Sequence, residues 1–584
     1  MRTISEFVGE LRRRHSQAPN ADSVGEALIL AEAALRNCDA PERPLSIVVL
    51  GPTQVGKSSV VNVLLGASAA GVSPLAGFTI HAHGFVLGDF AAAERRATCA
   101  LPDRRRVSVS ELRRDRLDEF ALDAVESAHA LSPSVIWDTP DFDSLSAWQY
   151  QSATLELAAA ADLLVLVVSK EKYSDLRVWS LLRQMDALRR PLIVCVNKTD
   201  AESVATITTS LQARLAEFMP NSRGAPLVAI PFVADGLAPG DAGAATNELR
   251  ATVSNEYQRV SDVEPGRRSQ MRRQSAAAII EKNWGIWTEP LLAEVQALDA
   301  WREEVNRACE IVAESFSTGY LENSQRYDAF RRATLELIRM LEWPGVGDVL
   351  GRLRSAITWP ARKLLSAGRA ALRGERVVSE ANDRCALREG VSRSLTRLQR
   401  DVARRLDPAL PGYAVWRGLH AQLDQQRSEL ESRLGGEIDR MLDLLEVEIR
   451  AAAAELHERL REEPTRLNAL RATRTATDVA SVAIAIKTGG APLHDLLLAP
   501  ALFAMTSMLT EGALGAYVAS VSDRLKRRLG QRVRGEFVDS AFARMLSDVS
   551  LGLRGSGVAV ISRERIAMAR AALAALTGGE SVHA

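Results

Sequence analysis

The sequence predicts an α/β domain, a mostly parallel sheet with helices on both faces, followed by a large all-α helical region. Short apolar, β-branched runs recur in the first half: "LSIVVL" from Leu45, "VIWD" from Val135, "DLLVLVVS" from Asp162, "PLIVCVN" from Pro191 and "PLVAIPFV" from Pro226. Each has the length of a buried strand, and helical patterns lie between them, which is the alternation of a parallel sheet covered on both faces. After about residue 245 these runs stop. Apolar residues then recur at three- and four-residue spacing, most clearly from Leu419 to Pro464, as in long amphipathic helices.

The elements follow in order. Residues 1–44 mix apolar and charged positions at helical spacing until "DAPERP" (Asp39 to Pro44) breaks the pattern. This segment is expected to be helical and to pack with the later stalk. The sheet domain is expected over 45–245 and the helical stalk over 246–584. At 584 residues the chain is too long for one core, so several domains are expected.

Bulk properties exclude more than they select. Lys+Arg and Asp+Glu both number 73, so no global charge argues for nucleic acid, and no nucleic-acid partner is expected. Five scattered cysteines without a C-x-x-C spacing fit a reducing compartment rather than a disulfide framework or a zinc site. The first residues lack the apolar run of a signal peptide, and no stretch reaches about 18 uncharged apolar residues. A cytoplasmic protein without an ordinary spanning helix is the expectation.

The run "LSIVVLGPTQVGKSS" places Gly51-x-x-x-x-Gly56-Lys57-Ser58 directly after a strand and before the helical "SVVNVLLG". In that context the pattern is a phosphate-binding loop, whose glycines let backbone N–H groups turn inward at a helix N-terminus. The cradle runs through Gly51, Pro52, Thr53, Gln54, Val55, Gly56, Lys57, Ser58 and Ser59. Lys57 would reach the β- and γ-phosphates, and the Ser58 hydroxyl would ligate Mg²⁺. Downstream, "VCVNKTD" sets Asn197-Lys198-x-Asp200 at the end of another apolar run. A carboxylate at Asp200 can accept from guanine N1 and its exocyclic amine, a donor pair that adenine lacks, so GTP or GDP is the expected ligand.

These motifs resemble those of P-loop GTPases of the translation-factor-related class, over about Leu45 to Gly236. The resemblance implies that Asp138, in "WDTPDFDS", holds Mg²⁺ through water. It also implies that Thr79 closes on Mg²⁺ and the γ-phosphate, with Ser73 and Thr53 as neighbouring hydroxyls that leave that assignment open. The last family motif falls near Val233-Ala234-Asp235. Where the family carries a switch-two glycine this chain has Asp141, whose backbone N–H can still serve the γ-phosphate. The next residue is Phe142, which cannot orient water by hydrogen bonding. The resemblance therefore implies slow intrinsic hydrolysis, helped from another loop, a partner or a monovalent cation. Gln54 stands where cation-dependent members carry Asn, so K⁺ and Gln54 are candidates for that help. His81 and His83 follow the switch and read as loop histidines.

A helical segment on each side of the GTPase domain resembles the dynamin-like plan of bacterial proteins. That plan implies a homodimer through the GTPase domains and a peripheral role at the inner face of an anionic membrane. Two stretches add their own physics, 342–374 and 479–534. From Val349 to Gly374 there are six basic residues and no acid, with Trp343 and Trp359 nearby, as at an anionic interface. Leu496 to Thr510 carries no charge, and Arg524 to Arg534 holds six basic residues and no acid. Both stretches read equally as bundle helices. The alternatives are a soluble switch binding a protein or ribonucleoprotein partner, and a non-hydrolysing nucleotide-gated scaffold.

Overall fold

The computed structural model describes residues 1–15, 23–71, 79–125, 130–141, 151–173, 175–200, 202–233, 243–323, 327–340, 368–462, 512–553 and 561–576. The chain divides into two units, residues 1–292 with 561–584, and residues 293–560. The division falls inside one long helix.

The first unit is built on an eight-stranded sheet. In chain order its strands are β1 (Leu45–Leu50), β2 (Ala82–Leu87), β3 (Arg105–Val107), β4 (Glu119–Ala124), β5 (Ser134–Asp138), β6 (Leu163–Ser169), β7 (Leu192–Thr199) and β8 (Leu227–Pro231). They lie in the order β3-β4-β2-β5-β1-β6-β7-β8. All neighbours are parallel except β2 and β5, which pair antiparallel with His83 opposite Asp138.

The uniform apolar runs follow from double-sided burial. Along β1, Ile47 and Val49 face one core with Val60, Val63 and Leu249, while Val48 and Leu50 face another with Leu28, Leu157 and Ile280. The first core lies under α3 (Lys57–Leu65) and α8 (Ala244–Ser261). The second lies under α1 (Arg2–His15), α2 (Ser23–Asn37), α4 (Phe90–Ala100), α5 (Gln151–Ala160), α6 (Leu176–Met185) and α7 (Val204–Phe218). Alternation at a period of two thus feeds two cores.

Two packing features bear on the expected boundaries. Helix α8, which begins at the boundary expected near 245, buries Leu249, Val253 and Tyr257 against the sheet. The N-terminal helices pack, within the first unit, on parts of the region expected as stalk. Phe7 packs on Trp284, and Arg565 of the last helix, Arg563–Leu576, reaches Glu6 at 3.4 Å. Together with the first part of α9 (Pro265–Phe316) they cover the sheet's second face.

One polar cluster fixes this arrangement. Asp162, at the foot of β6, accepts from Arg96 of α4 at 2.6 Å, Arg272 of α9 at 3.0 Å and the Ser46 amide of β1 at 2.9 Å. Burial alone would raise the Asp162 carboxyl, but the two guanidinia and the Ser46 amide hold it below the ordinary range.

The second unit is helical throughout its described residues. It holds the remainder of α9, then α10 (Ala329–Met340), α11 (Gly368–Ala403), α12 (Tyr413–Arg461), α13 (Gly512–Arg532) and α14 (Ala543–Leu551), with a π-helical turn over Val533–Phe542. Helix α12 buries Leu430, Leu434, Ile438, Met441, Leu445, Ile449, Ala452 and Leu456, a seam spaced four, four, three, four, four, three and four residues apart. A stripe at that spacing runs along one side of a helix and packs against neighbours along its length. Segments 341–367 and 463–511 lie outside the described residues, so the candidate stretch 342–374 and the apolar part of 479–534 largely do too.

Candidate nucleotide site

The candidate residues gather where the parallel strands end. Gly51 follows β1, Asp138 ends β5, Ser169 ends β6 and Asn197 falls within the end of β7, so the loops after these strands meet at one edge. Ligand sites of open α/β sheets lie at that edge. Because β2 runs antiparallel to β5, Thr79 enters the sheet from this same edge, three residues before Ala82. It is half-buried there.

The loop from Gly51 to Gly56 is shaped by what it cannot contain. A Cβ at Gly51 would lie 2.2 Å from the carbonyl oxygen of Val167, so β6 can approach only a glycine. Gly56 has φ +91°, and a Cβ there would lie 2.4 Å from Asn197 Nδ2. Gln54 also adopts a positive φ, 63°. Left-handed backbone at these positions folds the loop back over the first turn of α3 and points its amides inward.

The segment Asn197-Lys198 braces this loop. Asn197 Nδ2 donates to the Val55 carbonyl at 2.8 Å, and Lys198 Nζ donates to the Gln54 carbonyl at 2.7 Å. Lys198 itself has φ 58°. The carboxylate expected to read the base, Asp200, is exposed at the same edge. It accepts from Lys170 Nζ at 2.8 Å and from the Ser203 amide at 2.8 Å. The Lys170 bond first, then those from Ser203, hold its pKa down at about 2. Lys170 went unnoticed in the sequence, although its place directly after an apolar strand between β1 and β7 is the signal that marks it.

Two further hydroxyls position the switch. Thr139 Oγ1 donates to the Val49 carbonyl at 2.8 Å, tying the end of β5 to β1. Thr154 Oγ1 donates to the Pro140 carbonyl at 3.2 Å. Sequence reasoning did not single these out, since a threonine beside a switch carries no pattern of its own.

Lys57 is 4% exposed and donates to the carbonyls of Gly51 and Pro52, both at 3.1 Å. Its third partner is the carboxylate of Asp141, itself buried. The switch-two aspartate therefore meets a cation. Ser58 Oγ donates to Asp138 Oδ2 at 2.6 Å. The other oxygen, Asp138 Oδ1, is buried without a hydrogen-bond partner. Burial pushes the Asp138 carboxyl up to about 6, Ser58 and Lys57 draw it down, and Asp141 adds to the rise.

These residues fit a Mg²⁺–nucleotide pair. The cradle excludes any Cβ at Gly51 and Gly56, and the orphaned Asp138 oxygen beside the Ser58 hydroxyl is a site for positive charge. No group of three or more His, Cys, Asp or Glu stands ready to hold a metal among the described residues. Mg²⁺ held on phosphates needs none, because it retains water and takes only one or two protein ligands. Phe142 and Ala234 lie outside the described residues. Val233 stands near the expected position of the last motif and is partly exposed, at the end of the described stretch after β8.

Comparison with known proteins agrees with the geometry. Residues 46–198 match the family described as 50S ribosome-binding GTPase. No curated protein matches the chain. Two solved structures resemble it at 10% identity, both described as an oligomerised bacterial dynamin pair providing a mechanism for the long-range sensing and tethering of membranes. One covers 95% of this chain and 94% of its own with a TM-score of 0.38, the other 96% and 95% with 0.31. On the matched family and its position over the sheet, residues 46–198 are a P-loop GTPase domain.

Proposed function

We propose that this protein binds GTP with Mg²⁺, hydrolyses it slowly, and uses the cycle to drive its helical unit at an anionic membrane surface, as a dynamin-like GTPase. The observation that carries the nucleotide half is the braced loop beside an unpartnered Asp138 oxygen. Mg²⁺, when bound, supplies positive charge to the phosphate oxygens. Ser58 and, through water, Asp138 would hold it, with Thr79 closing from the β2 side. The loop amides and Lys57 bind phosphate and offset charge as it develops. Asp200 selects guanine, and Asn197 and Lys198 keep the loop in shape. Gln54, exposed at the loop tip, is the candidate for K⁺-dependent help, and a GTPase-domain homodimer would supply groups in trans.

The membrane half rests on the flanking helices, the long helical unit and the composition of 342–374 and 479–511. No helix among the described residues is long and apolar enough to cross a membrane, and the contact proposed is a peripheral one. A second reading, a switch whose helical unit binds a protein or ribonucleoprotein, is favoured by one observation. The basic run after Ser522 is spent on ion pairs within the unit: Arg524 with Glu455 at 2.6 Å, Arg532 with Glu448 at 2.9 Å, Arg534 with Glu310 at 2.5 Å.

Equilibrium nucleotide titration and liposome flotation test the proposal. Lys57→Ala should abolish GTP and GDP binding, and Asp200→Asn should move preference from GTP toward xanthosine triphosphate. GTP affinity unchanged in both variants would refute the site. Flotation on anionic liposomes in the presence of GTP is expected, and its absence with and without nucleotide would leave the second reading. Single-turnover hydrolysis in K⁺ and in Na⁺ over a range of protein concentrations separates cation- from dimer-stimulated turnover. A flat zero throughout indicates a nucleotide-gated scaffold.

A further inference from the structure

We propose that the Asp141 carboxylate stands in for the γ-phosphate on Lys57, and so biases this site toward GDP over GTP. The inference rests on the nucleotide reading above and adds a residue that sets preference within it.

An ammonium has three N–H donors. Those of Lys57 go to the Gly51 carbonyl, the Pro52 carbonyl and the Asp141 carboxylate, so none remains for another acceptor. A β-phosphate, common to GDP and GTP, would take over the N–H that one of the two loop carbonyls holds. The γ-phosphate, present in GTP alone, would then claim the N–H that Asp141 holds. Both side chains are buried, 4% exposed for Lys57 and 8% for Asp141, so salt and water screen their attraction little.

The β- and γ-phosphates are the groups for which a P-loop lysine is placed. With GDP the γ-position carries no phosphate, and Asp141 can remain on Lys57. With GTP the γ-phosphate and the carboxylate claim the same N–H. Two anions cannot share it at contact distance, the more so with the Asp138 carboxyl adjoining. GTP must therefore break a buried ion pair that GDP leaves intact, and breaking such a pair is strongly unfavourable unless a new anion replaces the old.

The local backbone shows where the chain before Asp141 is held. Thr139 is tied to Val49 and Pro140 to Thr154, so the chain is held up to Pro140. Asp141 is the first residue beyond those ties. Its release from Lys57 would carry the carboxylate away from the phosphates. The γ-phosphate is thereby coupled to Asp141 through its side chain, in addition to any backbone contact.

Affinities for GDP and for the non-hydrolysable β,γ-imido analogue of GTP, measured with Mg²⁺ by fluorescent-nucleotide titration, test this on the full-length protein. The wild-type protein should bind GDP the more tightly. Asp141→Asn keeps the shape and removes the charge, and should tighten the GTP analogue about tenfold relative to GDP, the scale of one close charge pair. Asp141→Gly should shift the ratio in the same direction, so the result does not depend on one variant folding. Nucleotide binding with an unchanged ratio in both variants would overturn this inference alone. A wild-type protein that binds neither nucleotide would overturn the site reading and this inference with it.

Discussion

Asn197 holds the phosphate loop from beneath, with its amide nitrogen on the Val55 carbonyl and its side chain against Gly56, where no Cβ fits. It is 3% exposed, so Asn197→Ala would leave a buried carbonyl unsatisfied, at about 1–3 kcal/mol. Lys198 makes the equivalent bond to Gln54 from an exposed position, where water can replace it. Asn197→Ala should therefore weaken nucleotide binding by about tenfold or more, and Lys198→Ala by only a few-fold. Both should lower GTP and GDP affinity together, because the brace acts on the loop and not on the γ-phosphate. A titration in which either variant changed mainly the GTP to GDP ratio would contradict the bracing role. The identities of these residues were legible in the sequence as a motif. Their bonds to the loop were not, since they depend on β7 ending beside Gly56, a tertiary fact. The Lys57–Asp141 pair is similar: the sequence marked Asp141 as a departure, and only the fold placed a cation against it.

Elements differ in how openly the chain announces them, and burial explains the difference. Strands β1, β5, β6, β7 and β8 read directly as apolar runs, most of them buried on both faces. Strands β2, β3 and β4 did not, because β3 and β4 carry charge and β2 is interrupted by His83 and Gly84. Strand β4 contains Glu119, buried and bonded by Arg105 at 2.9 Å, and β2 contains Gly84, where a Cβ would meet Leu122 at 2.7 Å. Polar and small residues at such places are explained by partners distant in sequence. Asp162 is the clearest case, a strand-foot aspartate linking α4, α9 and β1. Asp162→Asn would leave Arg96 and Arg272 buried without their anion, a loss of about 3–5 kcal/mol. Its pH signature follows from the lowered pKa. The charged form is favoured in the fold, so its contribution is full above the ordinary aspartate range and fades as pH falls below it. Denaturant titrations from neutral pH downward should show a lower plateau and a shallower acid limb in Asp162→Asn. Parallel acid limbs in the two proteins would refute the assignment.

At the scale of the whole molecule, the open question is what the helical unit presents to its surroundings. A cluster of basic residues beside an apolar stretch suggests an anionic membrane, but that inference requires the charges to be free. Arg524 lies against Glu455 and over the Tyr517 ring, Lys526 lies over Tyr327, and Arg528 is 3.7 Å from Glu455. Leu525, Leu529 and Val533 of the same run are buried in the unit's core. The run therefore joins α13 to α12 and α9, and its charge is largely balanced by acids of the same unit. The membrane contact proposed above therefore rests on 342–374 and 479–511, where Val349 to Gly374 holds six basic residues and Leu496 to Thr510 carries no charge. The double variant Arg524→Ala, Arg532→Ala separates the two roles. It should lower the Tm of the unit by about 2–4 °C, the response of a domain of this size to a modest loss of stability. Flotation on anionic liposomes should be unchanged. A variant with wild-type Tm that no longer floats would return the run to the membrane, because only free charges can be lost to a lipid surface without cost to the fold.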